Sequence, residues 1–204
     1  MYRRLYEYTV NESRETSGHM NRIVDLTRIL TENMAKKAVY QDAANSFDEI
    51  VRASAFHDIG HAKISDSLAN GKKMKIESER QHFERHTIDG AMIVSDFAAK
   101  NNARLPYAED IAMHHHERWD GKGYPRGLHG TAIPLCARIL SVVLVYEMFV
   151  TKIAQNEIDP HRTACIHIET QSGIIFDPDI VECFKTAECE FEHAVMKNHS
   201  RVIA

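Results

Sequence analysis

The sequence of this chain predicts an all-α protein that folds as a single domain over residues 1–204. Apolar residues recur every three to four positions through most of the chain, which is the spacing of a helix face, and no sustained apolar–polar alternation indicates a strand. The 204 residues suit one hydrophobic core, and 44% hydrophobic with 26% charged residues is ordinary for a globular protein. We therefore expect one helical bundle without internal repeats or linkers.

The first half of the chain contains three helical segments by this criterion. Residues 20–39 carry apolar side chains on one helical face, and residues 42–59 form a second segment that stops before a glycine. The polar, lysine-bearing stretch 62–75 predicts a loop. Residues 77–100 then predict one long helix, with a defect near Gly90.

The second half alternates helices with one long loop. A proline precedes the helical segment 107–117, and residues 118–134 hold four glycines and two prolines, which predicts a structured, functional loop. Residues 135–151 are apolar on nearly all sides, so we expect a central buried helix there. Two further helices are expected to begin at Pro160 and to span 178–198.

Composition excludes several classes of function. No apolar run approaches the roughly 20 residues of a membrane helix, and residues 1–7 lack the apolar core of a signal peptide. The four cysteines form no CxxC pair, which favours a reducing, cytoplasmic location. A net charge of −4 argues against bulk nucleic-acid binding, although bound cations can still attract a small anionic substrate.

Two pairs of adjacent residues have the chemistry of metal ligands. His57 and Asp58 lie at the expected end of a helix, and a carboxylate can bridge two ions. His115 and His116 end another helix, and neighbours on a helix point about 100° apart, so they suit two different ions. Such a site favours hydrolysis of a phosphate ester.

Other histidines carry weaker signals. Glu15 and His19 are four residues apart, so they lie on one face of a helix if their segment is helical. Their side chains could then bind one ion together. Isolated histidines are more often ordinary surface or core residues than ligands. We expect that ordinary role for His82, His129, His161, His167, His193 and His199.

These motifs resemble those of a known family. Residues 57–61, His-Asp-Ile-Gly-His, resemble the HDxGK motif of the HD superfamily of metal-dependent phosphohydrolases. Residues 115–128 resemble the HHExxDGxGYPxGL signature of its HD-GYP branch, and residues 173–178 resemble its GxxFDP motif. The resemblance covers roughly residues 15–185. It implies an HD-type helical bundle in which residues 118–134 form the long glycine-rich GYP loop.

The resemblance also implies the residues of the site. It implies two or three divalent ions, Fe or Mn, whose ligands are Glu15, His19, His57, Asp58, His86, His115 and His116. Asp58 and His61 are the implied catalytic residues. Cationic and hydroxyl side chains in and after the loop are candidates to bind substrate phosphates. They are Arg118, Lys122, Tyr124, Arg126 and Lys152.

Three positions depart from the family pattern. Leu144 stands where the pattern has a metal-binding aspartate, and a leucine cannot ligate a metal. His61 replaces the lysine of HDxGK and could instead donate a proton. Ile153 lies in a stretch that replaces a basic segment of the family and retains only Lys152 as a cation.

Glu147 lies three residues after Leu144, on nearly the same face of an otherwise apolar helix. One hypothesis is that its carboxylate reaches inward and partly replaces the missing ligand. The alternative is an ion pair with an arginine such as Arg138.

The leading function is a phosphodiesterase that cleaves cyclic di-GMP or a related cyclic dinucleotide, with a metal-bridging hydroxide attacking phosphorus. The departures favour an alternative, a catalytically weakened relative that signals by binding a nucleotide or a partner protein. A hydrolase for another phosphate ester is the weakest reading, since it would not need the GYP loop.

The GYP loop could contact a signalling partner, and the apolar residues of 1–10 could pair two subunits as a homodimer.

Overall fold

The computed structural model describes residues 2–13, 16–64, 76–153 and 158–202, and the side chains of 153 and 197–202 lie outside that description. Across these residues α-helices dominate, no strand is present and two isolated bridges occur. The prediction of an all-α fold is therefore confirmed. The helices are α1 (Tyr2–Glu12), α2 (Ser17–Met34), α3 (Phe47–Ala53), α4 (Glu77–Glu84), α5 (His86–Lys100), α6 (Ala108–His114), α7 (Leu135–Met148), α8 (Pro160–Thr170) and α9 (Pro178–Val202).

The core is built around α2 and α7. α2 packs against α3, α7 and α9, and α7 is buried on most of its surface, as its uniformly apolar sequence predicts. Tyr146 of α7 meets Phe191 of α9 edge-on at 4.9 Å between ring centroids, and Phe184 meets Phe191 at 5.0 Å. The contact of Tyr146 with Phe191 joins α9 to the core, whereas the contact of Phe184 with Phe191 lies within α9.

The predicted helix 42–59 is shorter than expected, which decides where the metal-ligand candidates lie. α3 ends at Ala53 and is followed by two 3-10 turns, Ser54–Phe56 and Ile59–Lys63. His57 and Asp58 occupy the turn between them. In this irregular backbone His57 Nε2 lies 3.4 Å from Asp58 Oδ2, whereas neighbouring side chains on a regular helix point about 100° apart.

The predicted helix 77–100 is two helices, with the break at Arg85 rather than near Gly90. Gly90 is regular helix, and a Cβ there would lie 3.3 Å from both Ala112 Cβ and Gly60 N. A Cβ on Gly60 would lie 1.9 Å from the backbone oxygen of His86. The two glycines therefore mark a close approach between the turn after Asp58 and the start of α5, not a defect.

The remaining boundaries differ from the prediction at helix ends. α2 begins at Ser17, where Thr16 Oγ1 accepts a hydrogen bond from the backbone N of His19 at 3.1 Å, and it ends at Met34. α7 ends at Met148 and continues as a π-helical turn, Phe149–Ile153.

No helix in the described parts of the chain has the length and apolarity needed to cross a membrane.

Helix α1 uses its apolar face within the chain. Leu5 is fully buried, and the Tyr2 ring stacks on Phe56 with 5.9 Å between centroids. Helix α1 therefore packs on the 3-10 turns beside the His57–Asp58 turn, and pairing of two subunits through residues 1–10 stays a prediction.

Candidate metal centre

Three separate elements deliver the candidate ligands to one point. Asp58 comes from the turn after α3, His86 is the first residue of α5, and His115 and His116 follow directly after α6. α5 packs closely on both α6 and the turn Ile59–Lys63, and this packing brings the three elements together. Asp58, which lies at the centre, is shielded from solvent by these elements and retains 18% side-chain exposure.

The Asp58 carboxylate is surrounded by imidazole nitrogens. Its Oδ1 lies 3.2 Å from His115 Nε2 and 3.4 Å from His86 Nε2. Its Oδ2 lies 3.4 Å from His57 Nε2 and 3.8 Å from His61 Nδ1. Oδ1 nevertheless forms no well-aligned hydrogen bond with any described residue. Burying a carboxylate oxygen without such a bond costs free energy of folding unless a cation contacts that oxygen.

These donors fit a divalent metal ion. Ligand bonds of about 2.0–2.2 Å place neighbouring donors about 3 Å apart at right angles, which is the spacing found around Oδ1. One carboxylate oxygen or ring nitrogen from each of Asp58, His86, His115 and His116 falls within 4.8 Å of all the others. Imidazole with carboxylate suits Fe, Mn, Ni or Zn.

The backbone sets the orientation of three of these rings. Nδ1 of His57 lies 3.1 Å from Ser54 O, Nδ1 of His86 lies 2.7 Å from Phe83 O, and Nδ1 of His115 lies 2.9 Å from Ile111 O. A carbonyl oxygen only accepts, so Nδ1–H donates and Nε2 carries the lone pair that faces Asp58. The rings are thus held in the tautomer that a metal requires.

Electrostatics favours neutral rings around an ionised carboxylate. Burial lowers the pKa of His115 to about 4, against the opposing effect of Asp58. Burial, together with the neighbouring His115 and His86, lowers the pKa of His116 well below its usual value. Burial alone would raise the pKa of Asp58, but the histidines around it, His57 first, lower it well below the ordinary range. His115 and His116 are therefore neutral and Asp58 is ionised at neutral pH, and these are the forms that bind a metal ion.

His19 joins the edge of the cluster through a buried carboxylate. Its ring centroid lies 5.5 Å from that of His57, and its Nδ1 lies 3.1 Å from Glu147 Oε1. The same oxygen accepts hydrogen bonds from Arg22 Nε at 2.9 Å and Nη2 at 2.6 Å. The arginine that pairs with Glu147 is thus Arg22, while Arg138 pairs with Asp177.

The sequence alone offered no signal for this Arg22–Glu147 pair, whose members lie 125 residues apart. Glu147 is 2% exposed; burial raises its pKa, but His19 and Arg22 outweigh burial and lower it to about 2. A charged pair therefore lies beside the position where the family pattern has an aspartate ligand.

A cleft of about 570 Å³ opens beside His115 and His116. Of the candidate phosphate-binding residues, Arg118, Lys122 and Tyr124 line it, and Arg126 and Lys152 are not among its lining residues. Leu144 lies in its wall, and Arg80 of α4, which the sequence did not single out, lies at its edge.

The GYP loop is fixed by two carboxylates and by the segment before α9. Buried Glu117 accepts hydrogen bonds from the backbone N of Arg126 at 2.8 Å and of Leu128 at 2.9 Å. Asp120 accepts two hydrogen bonds from the Arg118 guanidinium, at 3.0 and 2.8 Å. Backbone N–H groups at 119 and 120 donate to Ile175 O and Ile174 O. Glu117 and Asp120 therefore anchor the loop.

The other predicted site residues have varied positions. His61 lies against the cluster, with its ring centroid 4.7 Å from that of His86. Lys152 is exposed on the π-helical turn after α7 and is not among the residues that line the cleft. Glu15 and the side chain of Ile153 lie outside the described residues.

The chain is similar in sequence to several known proteins. A cyclic di-GMP phosphodiesterase of Thermotoga maritima is 32% identical over 176 residues, which are 86% of this chain and 45% of the relative. A probable cyclic di-GMP phosphodiesterase of Vibrio cholerae is 30% identical over 182 residues, 87% of this chain and 41% of the relative.

A third relative, 3'3'-cGAMP-specific phosphodiesterase 2 of Vibrio cholerae, is 32% identical over 173 residues, 83% of this chain and 31% of the relative. The chain thus spans less than half the length of these relatives. The family model described as "HD domain" matches residues 7–180. The expected resemblance is confirmed, and the chain belongs to the HD domain family.

Proposed function

We propose that this chain is a metal-dependent phosphodiesterase that hydrolyses cyclic di-GMP or a related cyclic dinucleotide. The observation that carries the proposal is the ionised Asp58 carboxylate, whose Oδ1 faces two imidazole Nε2 atoms without a well-aligned hydrogen bond, beside a cleft that the exposed Lys122 lines. The names of the relatives support the substrate class, since they include enzymes for cyclic di-GMP and for 3'3'-cGAMP.

Asp58 divides the candidate ligands into two sets. Its Oδ1 faces the set made with His86, His115 and His116, and its Oδ2 faces His57, with His19 beyond. The first set has four protein ligands, whereas the second lacks the carboxylate that Leu144 replaces. We expect the first position to hold its ion more tightly, with Fe or Mn as the candidate metals and Glu15 as a candidate for a third. Bound ions would polarise a phosphoryl oxygen and generate a nucleophile from water at neutral pH.

The cleft residues would bind and orient the substrate. Lys122 is exposed at the cleft and can contact a phosphate, whereas the Arg118 guanidinium is already engaged by Asp120. The Tyr124 ring stacks on His116 at 4.7 Å between centroids, which holds that imidazole in place. His61, beside Asp58, is positioned to donate a proton to the leaving oxygen.

A specific observation favours a second candidate function. Leu144 lies in the wall of the cleft beside the histidines, where an aspartate could have reached an ion. A chain with only one well-formed ion position would bind a cyclic dinucleotide and cleave it slowly. It would then act as a binding protein in signalling, with the GYP loop as a candidate surface for a partner.

Metal content and hydrolysis, measured on the same samples, test both candidates. The chain is purified without a histidine tag or chelator under anaerobic conditions, its Fe and Mn are measured by elemental analysis, and cyclic di-GMP and 3'3'-cGAMP turnover is followed by chromatography. The proposal expects at least one ion per chain and turnover of a cyclic dinucleotide. His115→Ala is expected to lose both, and His193→Ala, at an exposed histidine of α9, neither.

The Leu144→Asp variant separates the two candidates. If this variant binds about one more ion per chain and its turnover rises at least tenfold, the native chain is a weakened relative. A tenfold rise corresponds to an activation free energy that is lower by about 1.4 kcal/mol. If the native chain already holds two ions and Leu144→Asp changes little, the enzyme reading stands. Metal-free protein that neither binds nor cleaves either dinucleotide after anaerobic reloading would contradict both candidates.

A further inference from the structure

A second group of metal-ligating side chains lies between α8 and α9. His161 and Cys165 are four residues apart on one face of α8, and Glu188 faces them from α9. Each offers one ligand atom, and the three atoms lie within 4.8 Å of one another. Cys165 Sγ lies 3.7 Å from His161 Nε2. Tetrahedral bonds of about 2.3 Å to sulfur and 2.0 Å to nitrogen separate the two donors by a similar distance.

A buried tyrosine hydroxyl contacts the opposite nitrogen of the His161 ring. Tyr146 of α7 places its oxygen 2.8 Å from His161 Nδ1. When Nδ1–H donates to this oxygen, Nε2 carries the free lone pair. Cys165 Sγ is almost equidistant from the two ring nitrogens, at 3.8 Å from Nδ1 and 3.7 Å from Nε2, so Nε2 is available to share an ion with the sulfur. Metal-binding histidines commonly have such a partner, which fixes the tautomer and the ring angle.

The surroundings of this group favour a cation. Cys165 is fully buried, and a carboxylate oxygen of Glu188 lies within 4.8 Å of its sulfur. Glu192, one helical turn further along α9, lines the cavity beside His161 and adds a second negative charge. A bound cation would relieve this accumulation of negative charge and stabilise the thiolate.

A cavity of about 350 Å³ opens beside the group. Its lining includes His161, Tyr146 and Glu192, and Glu192 lies one helical turn after Glu188. Three protein ligands with an open neighbouring space are the arrangement of zinc sites that keep one exchangeable position.

We propose that His161, Cys165 and Glu188 form a separate site for a zinc-like divalent cation, with its fourth position open to the cavity. Binding converts the Cys165 thiol to a metal thiolate and releases its proton to solvent. The ion links α8 to α9 and takes a water or another small donor from the cavity. This site is independent of the Asp58 centre, and the expectation that His161 is an ordinary histidine is replaced by this assignment.

Cobalt titration of the 204-residue chain tests the proposal, because sulfur bound to Co²⁺ gives a near-ultraviolet charge-transfer band and the ligand set at Asp58 contains no sulfur. Protein stripped with a chelator is titrated with Co²⁺ under reducing, anaerobic conditions. We expect a band that saturates at one equivalent and is displaced by Zn²⁺. Cys165→Ser is expected to abolish it, and Cys189→Ser, at an exposed cysteine, to retain it.

Further variants keep the test decisive if Cys165→Ser folds poorly. Glu188→Gln, at a partly exposed position, and Tyr146→Phe, which removes one hydroxyl, should each weaken Co²⁺ binding at this band about tenfold or more. His115→Ala should keep the band, since it alters only the Asp58 centre. Absence of a band in the parent chain, a band that persists in folded Cys165→Ser, or unchanged binding in both Glu188→Gln and Tyr146→Phe would overturn the proposal.

Discussion

At the scale of single residues, Glu147 has the most unusual environment on α7. It is 2% exposed, and one of its oxygens accepts hydrogen bonds from Arg22 while also facing His19. A carboxylate that contacts one ring nitrogen of a candidate ligand fixes the orientation of that ring. Glu147 thus positions His19, and a partial replacement of the aspartate absent at position 144 stays a hypothesis.

Glu147→Gln should destabilise the chain, because the substitution leaves the Arg22 guanidinium without its anion. The expected loss is about 2 kcal/mol in the free energy of unfolding, measured by urea denaturation in chelator. The folded pKa of about 2 lies below the ordinary 4.5, so the pair stabilises the chain above pH 4.5. This contribution disappears as the pH falls toward 2.

The difference in the free energy of unfolding between the parent chain and Glu147→Gln should therefore decrease as the pH falls from 4.5 toward 2. Glu32→Gln, at an exposed position on α2, should change the free energy by less than about 0.5 kcal/mol. A Glu147→Gln difference of the same size at about pH 3 as at about pH 6 would argue against the ion pair.

At the scale of secondary-structure elements, the approach of the turn after Asp58 to α5 sets the geometry of the centre. This approach depends on Gly60, where a Cβ would lie 1.9 Å from His86 O and 2.7 Å from Gly90 N. Both neighbours are backbone atoms, so they cannot move aside independently of α5. Any side chain at position 60 must push α5, and His86 with it, away from Asp58.

Gly60→Ala is expected to cost at least about 3 kcal/mol of stability and to reduce bound metal, since the displaced His86 can no longer share an ion with Asp58. Thermal unfolding and elemental analysis of the same samples measure both effects. Gly18→Ala on α2 is the matched control, because the nearest atom to its added Cβ is 3.6 Å away. It should be neutral or stabilising by about 0.5–1 kcal/mol. Equal behaviour of the two variants would contradict the close-packing argument.

At the scale of the whole molecule, the centre ties together parts of the chain that are distant in sequence. Its four-ligand set comes from the turn at Asp58, the start of α5 at His86 and the end of α6 at His115 and His116. A bound ion would therefore act as a cross-link within the folded state and leave the unfolded chain almost unaffected.

Metal removal should accordingly lower the thermal unfolding midpoint. At a free metal concentration of 100 times Kd the ion contributes about 2.7 kcal/mol, or about 8 °C for a domain of this size. Differential scanning calorimetry with and without chelator measures the shift. His115→Ala should show less than half of it, and an equal shift in that variant would place the stabilising ion elsewhere.

Much of this organisation can be predicted from the sequence, because motif and periodicity are local. Asp58, His86 and His115 follow from short motifs, and the burial of α7 follows from its uniformly apolar residues. The break at Arg85 is not predicted from the sequence, because the helical periodicity continues through it. Gly90 resembles a defect in the sequence because the residues that it packs against lie elsewhere in the chain. The contact of Arg22 with Glu147 joins residues too far apart for any pattern to connect.

The carbonyl partners of His57, His86 and His115 have a consequence for how readily the centre fills. Each ring is held by a backbone carbonyl three or four residues before it in the chain, so its orientation toward Asp58 is established when the chain folds and not when an ion arrives. Little side-chain entropy is then lost on capture. If a donor such as the one at position 144 is absent, a centre held in this way would bind its ion more weakly but would keep its side-chain arrangement. A chain that loses catalytic residues by substitution would therefore still bind metal and its nucleotide ligand.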